Sequence, residues 1–368
     1  HVWPDEDEST RDYFPSPWSG LMDADIRACE VGIMGTSLSG LDAAMAVVMQ
    51  HGRFSGEQFV VNKGSEGLNI TLMSRSGVLP EADFYCPIPY EPLSVLTESV
   101  AESEIAKGPD GLLDRIFALM VKELELADPR WCQAIAIGTL NADTLRDVWF
   151  EDRKKHGPFT WAEANLKEVE RNKCEKRTVA WRYTVLRLHE VVQAIVPSLN
   201  ERDRERFKSG LERVFIDNYA AIPPQSIRRL LALREAGIIS VVALGDDYDL
   251  DIGSDQTVIT TKEKRYRFDV FIDARGQKPL RNKDIPFPTL RKQLEETGDE
   301  IPDVGEDYTL LSPASLRGRI AFGAIPWLMH DHPFVQGLSE CAEIGKAMAK
   351  AAGNPASGVR RKLPYTEF

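Results

Sequence analysis

No stretch of this 368-residue sequence approaches 18 consecutive apolar residues, so a membrane-spanning helix of ordinary length is excluded. A cysteine framework is missing as well. The five cysteines, at 29, 86, 132, 174 and 341, form no C-x-x-C pair and have no histidine at zinc-finger spacing. No structural metal site or disulfide scaffold is expected, and reduced thiols in a cytoplasmic protein are. An excess of positive charge is also absent: 45 Lys and Arg stand against 57 Asp and Glu, a net charge of −12. A surface for nucleic-acid phosphates needs the opposite sign, which leaves room only for a local basic pocket holding one small anion. The first residues carry no initiator Met and no apolar signal-peptide core. The expectation is a chain that continues upstream in the same polypeptide. Internal repeats and low-complexity tracts are lacking too.

What is present is an ordinary globular composition, 43% hydrophobic and 28% charged, long enough for two or three domains at roughly 100–200 residues each. The patterning divides the chain. Residues 1–25 hold a Pro- and aromatic-rich extended connector, Tyr13-Phe14-Pro15-Ser16-Pro17-Trp18. Residues 26–90 read as strand (30–34), Gly-rich turn, helix (41–49), Gly-containing loop (51–67) and strand (69–73), a βαβ unit. Residues 91–236 are helical. Leu112, Leu113, Ile116, Phe117, Met120 and Leu124 follow helical spacing between Pro109-Asp110 and Asp128-Pro129. Further helices are predicted near 141–155, 160–172, 178–196, 200–216 and 224–236. Residues 237–275 return to strands, at 238–244, 248–252, 257–261 and 268–272. Residues 276–368 open on a polar, Pro-containing segment, then give a short strand at 320–322 and a closing helix over 334–351. The fold class is α/β, a Rossmann-like dinucleotide-binding domain with a large helical insert.

The strongest local signal is Gly35-Thr36-Ser37-Leu38-Ser39-Gly40, directly after a predicted strand and opening a predicted helix. A dinucleotide fingerprint needs that placement. Its first Gly makes the tight turn, a small middle residue lets pyrophosphate approach the backbone, and its last Gly brings helix and strand together. The helix N-terminus then offers N–H groups and a positive dipole end to the phosphates. Ser37 stands where the middle Gly is usual, and its hydroxyl is itself a donor. The rival pattern, a G-x-S-x-G nucleophile elbow around Ser37, fails because position 39 is Ser. At the end of the second strand an NAD site places an acid for the ribose 2′-OH, whereas an NADP site supplies Arg for the 2′-phosphate. Here Ser74-Arg75-Ser76-Gly77 provides a hydroxyl and a guanidinium and no acid, which points to NADPH.

Weaker signals lie elsewhere. Asp273-Ala274-Arg275-Gly276 and Gly323-Ala324 are strand-end turns where backbone approaches a ligand, or ordinary turns. His330-Asp331-His332 lacks a third convergent ligand and reads as a polar loop. Trp181 and His189 read as packing residues. The acidic run Asp246, Asp247, Asp249 and Asp251 lacks the Gly and Glu of a calcium loop and reads as a solvated turn. No metal site and no catalytic acid or base is assigned.

These segments together resemble the bacterial FAD/NAD(P)-binding flavoprotein family, which has two dinucleotide-binding domains. Glu30 to Ala46 with Thr71 to Pro80 is similar to its second nucleotide-binding unit, and GTSLSG is similar to the NADPH motif of flavin-containing monooxygenases. The N-terminal connector, Trp181 to Leu244 with Ile222-Pro223-Pro224, Asp273 to Gly276, and Phe322-Gly323-Ala324 with Phe334 to Ala349 extend the likeness. The resemblance implies that 26–90 and 237–275 form the NADP-binding domain and that 276–368 is the C-terminal part of a FAD-type domain. It implies an oxidoreductase, monooxygenase-like or its NADPH-binding portion, with FAD as redox centre and NADPH as hydride donor. Gly35, Thr36, Ser37, Leu38, Ser39 and Gly40 would meet the pyrophosphate, Ser74 and Arg75 the 2′-phosphate, and Gly276, Gly323 and Ala324 the flavin. Two departures stand out. No first G-x-G-x-x-G precedes Gly35, so the chain is a piece of a longer one or its FAD site is incomplete. Asp217-Asn218-Tyr219-Ala220 falls where more basic character is expected. The alternative function is a non-catalytic NADP(H)-binding regulatory or interaction module.

Overall fold

The computed structural model describes residues 13–18, 20–21, 23–253, 255–276, 279–330, 335 and 337–353. The chain folds as a mixed α/β protein around a parallel sheet. Val31, Ile33 and Met34 of β2 (Glu30–Met34), Ile70 to Met73 of β5 (Asn69–Ser74) and Val270 to Ile272 of β10 (Val270–Asp273) are buried, as strands covered on both faces must be. With β1 (Tyr13–Phe14) and β6 (Ile239–Ala243) they pair in the order β1-β10-β2-β5-β6, every pair parallel.

One face is covered by α1 (Leu38–His51), through Ala43, Ala44, Val47 and Val48. The same core includes Ala162, Leu166 and Val169 of α6 (Pro158–Glu175) and Ile227, Leu230 and Leu233 of α10 (Pro224–Glu235). On the other face an antiparallel meander packs on Met34, Met73 and Phe271 through Ile259 and Phe268. Its strands are β7 (Tyr248–Ile252), β8 (Thr257–Thr261) and β9 (Arg265–Phe268). The Phe268 ring occupies the space where a Cβ on Gly32 would sit, 2.6 Å away, so the middle of β2 has to be glycine.

Between β5 and β6 the chain leaves the sheet for the helical region. Its own core joins α2 (Glu98–Ala106), α3 (Leu112–Ala127), α4 (Pro129–Ala134), α5 (Leu145–Lys155), α7 (Ala180–Ile195), α8 (Glu201–Ser209) and α9 (Leu211–Tyr219). The expected stripe of α3 is buried, and Asp128 ends α3 while its side chain accepts from Trp131 N at 3.1 Å to start α4. Beyond β10, Ile285, Leu310, Phe322 and Trp327 form a smaller cluster. A second, with Tyr308, Leu328 and Ile344, seats α13 (Leu338–Gly353).

The structure corrects the sequence reading in several places. The expected loop at 51–67 contains a hairpin, β3 (Gly52–Ser55) and β4 (Gln58–Val61), turning at Gly56, whose φ is +61°. The helix expected over 200–216 breaks at Gly210, where a Cβ would meet Ala142 O at 2.4 Å. The strand expected over 268–272 divides into β9 and β10 around Asp269. The extended connector contributes a sheet strand, Tyr13 and Phe14 pairing with Phe271 and Ile272. The polar segment after 276 contains a helix, α11 (Pro288–Glu295). The strand at 320–322 is a single bridge, Thr309 to Ala321. Residues 1–12, and Asp331, His332 and Phe334 of the C-terminal expectations, lie outside the described residues.

Candidate functional site

The glycine turn, the end of β5 and the end of β10 meet at the C-terminal edge of the sheet. Gly35 N donates to Met73 O at 2.7 Å, and Ala274 N donates to Met34 O at 2.8 Å. Gly35 has φ +142°, and a Cβ there would lie 2.6 Å from Ala274 O, so the turn and the end of β10 are in backbone contact. Gly40 is closed in by the same turn: its Cβ would lie 2.3 Å from Gly35 O. Helix α1 therefore starts directly against the turn. Ser37 is its N-cap in extended conformation and makes no side-chain capping bond, and the first turn carries no acid. Ser37 and Leu38 are exposed, while Thr36 and Gly40 are buried. The N–H groups of this helix end lie at the edge of the sheet, and among the described residues no side-chain carboxylate hydrogen-bonds to them.

The motif residues divide into two roles. Thr36 Oγ1 lies 2.7 Å from Val78 O and 3.0 Å from Ser74 Oγ. The Thr36 hydroxyl is the donor in both contacts, its one proton directed to Val78 O or to Ser74 Oγ. Ser74 Oγ also accepts from Gly77 N at 3.0 Å. Both hydroxyls thus tie the glycine turn to the loop after β5, and the outward-facing group at that strand end is Arg75, whose side chain is 56% exposed. Its only ion-pair partner among the described residues is Asp246, at 3.7 Å and itself 89% exposed. The acidic run is a solvated turn, as expected: its four acids are exposed, Asp246 facing Arg75 and Asp247 pairing with Lys262 at 2.7 Å on the surface.

Beside the turn, Asp273 chelates Arg275 with contacts of 2.9 and 2.5 Å, and Gly276 follows at φ +86° with open space around its Cα. Gly323 is placed differently. A Cβ there would lie 2.4 Å from Met348 Sδ, so packing against α13 accounts for this glycine, and Ala324 caps the short helix α12 (Ile325–Leu328). His330 Nε2 bonds Leu280 O at 2.9 Å. No metal-binding group of His, Cys, Asp and Glu occurs among the described residues.

The sequence reading missed a polar seam between the helical region and the loop after β5. Arg182 Nη2 pairs with Glu81 at 3.0 Å, and Trp161 Nε1 donates to Glu81 at 2.9 Å. Arg153 pairs with Asp217, which also accepts from Trp149 Nε1 at 2.8 Å. Burial pushes the Glu81 carboxyl up, but Arg182, Arg153 and the Trp161 N–H outweigh it and hold it below the usual range. For Asp217 burial prevails over Arg153 and lifts it above the usual range. The departure at 217–220 is thereby explained: Asp217 is there for Arg153, and Asn218 Nδ2 donates to Arg182 O at 3.1 Å. Trp181 stacks on Trp131 at 4.6 Å, and His189 leans on Tyr219 at 4.9 Å, both as packing residues.

Two surface hollows, of about 500 and 400 Å³, lie elsewhere, beside Ser312 to Ser315 and beside Cys132 to Thr139; neither is lined by an arginine or a histidine. No helix among the described residues is long and apolar enough to cross a membrane. Residues 97–219, the span of the helical core, match the family model of the YdhS-like middle domain. Over 370 positions the chain is 66% identical to "Uncharacterized protein YdhS" of Escherichia coli (strain K12), an alignment covering 99% of this chain and 69% of that relative. A likeness that close over nearly the whole chain means that this protein belongs to the YdhS-like family.

Proposed function

We propose that the chain is the NADPH-binding part of a FAD-dependent oxidoreductase, built on a Rossmann-like unit. The observation that carries this reading is the joint placement of the glycine turn and Arg75. Numbered by appearance, the long parallel strands β2, β5, β6 and β10 lie in the order third, second, first, fourth. The order reverses between β2 and β10, and in open α/β sheets a ligand occupies the crevice outside the strand ends at that point. The turn Gly35 to Gly40 lies there and opens α1, so the backbone N–H groups of Ser37, Leu38 and Ser39 are available to a pyrophosphate. Arg75 follows the neighbouring strand in place of the acid that an NAD site carries, and its guanidinium, held only by the exposed contact with Asp246, can fork onto a phosphate. Gly276 leaves room on the far side of the crevice. Bound NADPH would supply a hydride, with FAD as its acceptor. The chain's own residues bind and orient the nucleotide.

Gly323 favours a second reading. Because Met348 explains it without a flavin, the chain also fits a non-catalytic NADP(H)-binding module. The absorption spectrum of the purified full-length protein separates the two, a band at about 450 nm belonging to the flavoprotein. The NADPH assignment is tested by titration. Arg75→Ala is expected to weaken NADPH by about 1.5–3 kcal/mol and leave NADH nearly unchanged. Equal loss for both nucleotides, or for neither, would remove Arg75 from the 2′-phosphate.

A further inference from the structure

Helix α9 carries a second arginine toward the end of β5. Its exit runs beside the loop that follows β5: Ile222 N donates to Glu81 O at 2.9 Å, and Asp83 N donates to Ile222 O at 2.7 Å. Within the helix, Asp217 meets Arg153, whose Nη1 reaches Leu79 O at 3.5 Å. The face of α9 that carries Asp217 is thus turned toward α5 and, through Arg153, toward the loop after β5, which runs parallel to the exit of α9 at Ala82 and Ile222. Arg213 lies one turn earlier on that same face, because residues four apart in a helix are neighbours. It is solvent-exposed, and no hydrogen bond or ion pair holds its guanidinium among the described residues. Partial burial, then the charges of Arg75 and Arg146, hold Arg213 below the usual arginine range, against the opposing charge of Glu212. Arg146 is already committed, to Ser209 O at 2.6 Å and to Asp147 at 2.9 Å. Of these three arginines, Arg213 has no hydrogen bond or ion pair through its guanidinium among the described residues, and Arg75 has only the exposed 3.7 Å contact with Asp246.

Two guanidinium groups brought together repel, and a dianion placed between them, displacing the exposed Asp246 from Arg75, turns that repulsion into two charge-assisted contacts. We propose that α9 lends Arg213 to the site at the end of β5, so that a phosphate monoester there is gripped by one arginine from the sheet and one from the helical region. This rests on the reading of Arg75 as the 2′-phosphate ligand. It assigns the YdhS-like middle domain a share in nucleotide recognition and makes 2′-phosphate binding a contact across the seam between helices and sheet.

The test is calorimetric titration of the full chain with 2′,5′-ADP, 5′-AMP and inorganic phosphate, for the unmodified protein and for Arg75→Ala, Arg213→Ala, Arg213→Lys and the double alanine variant. Circular dichroism and the urea midpoint of each variant establish that it is folded. The expectation is that Arg213→Ala weakens 2′,5′-ADP at least tenfold and 5′-AMP less than twofold. Arg213→Lys should recover part of the loss. The double variant should lose less than the product of the single losses, because both arginines hold one group. If Arg75→Ala abolishes the preference for 2′,5′-ADP while Arg213→Ala leaves it intact, the role of Arg213 is overturned and Arg75 stands. If the unmodified protein shows no preference for 2′,5′-ADP over 5′-AMP, both assignments fall. Binding of inorganic phosphate that 2′,5′-ADP does not displace would overturn the proposal by placing the anion outside the nucleotide site.

Discussion

At Gly35 both the backbone and the surroundings require glycine. Its φ of +142° is strained for any residue with a Cβ, and that Cβ would lie 2.6 Å from the carbonyl of Ala274. Strain of this kind costs about 1–3 kcal/mol, and crowding of a packed site adds a similar amount. Gly35→Ala is therefore expected to lose about 2–5 kcal/mol in urea unfolding. Loss of less than 1 kcal/mol would mean that the turn relaxes away from β10. Asp246 makes the opposite kind of contribution. Its contact with Arg75 is exposed on both sides and weak, and a bound phosphate would have to displace it. Asp246→Asn should tighten NADPH by about 0.2–1 kcal/mol, an effect that fades with added salt; unchanged affinity at low salt would place the phosphate away from Arg75. The sequence showed Gly35, Ser74 and Arg75 because strand, turn and guanidinium follow one another in the chain. It did not show that the hydroxyls of Thr36 and Ser74 are engaged within the protein, with Val78 O, Gly77 N and one another, a matter of two segments 38 residues apart.

Helices α5, α7 and α9 meet the loop after β5 through buried charges, and there the pairing matters more than either charge alone. Removing one member leaves its partner buried and uncompensated, which costs about 3–5 kcal/mol. Arg153→Met or Asp217→Asn alone should lose about that much stability, and Arg153→Met with Asp217→Leu markedly less than the sum of the two single losses. Strictly additive losses would show that the pair is not coupled. The same helices carry two groups with opposite pH dependence. Burial pulls the His189 imidazole from 6.5 down to about 4 and pushes the Glu212 carboxyl from 4.5 up to about 7. His189 contributes stability that is complete above pH 6.5 and lost as pH falls toward 4. Glu212 contributes stability that is complete below pH 4.5 and lost as pH rises toward 7. Each amounts to at most about 3 kcal/mol, and between pH 4.5 and 6.5 they oppose each other. Glu212→Gln should therefore make stability rise from pH 4.5 to 6.5 and flatten above it, read from urea midpoints. A profile unchanged from the parent protein would mean that Glu212 titrates normally. Neither titration was legible along the chain, because the burial that moves both groups arises only when α7 and α9 are packed.

Across the whole molecule, the sheet and the helical region have separate apolar cores joined by that polar seam. Trp131, Trp149 and Trp181, three of the seven tryptophans, cluster within the helical region, so the emission of a variant with the other four replaced by Phe reports on it, whereas far-UV circular dichroism reports on the entire chain. NADPH at a hundred times its dissociation constant should stabilise the protein by about 2.7 kcal/mol. If both regions contribute an arginine, the two probes should move together in urea; a shift in circular dichroism with no change in tryptophan emission would leave the helical region outside the site. The sequence alone determined the opening strand–turn–helix at 30–49, the helical character of 91–236 and the glycine turn at the head of α1, because periodicity and turn chemistry act over a few residues. It left the hairpin at 52–61 unread, since short alternation around a single Gly-Glu turn is a weak local signal. Only the tertiary structure decided that β10 lies beside β2, that Met348 fills the space at Gly323, and that Arg153 meets Asp217 across 64 residues of chain. Those are contacts between segments far apart in sequence, where burial, charge and steric exclusion act through space and leave no pattern along the chain.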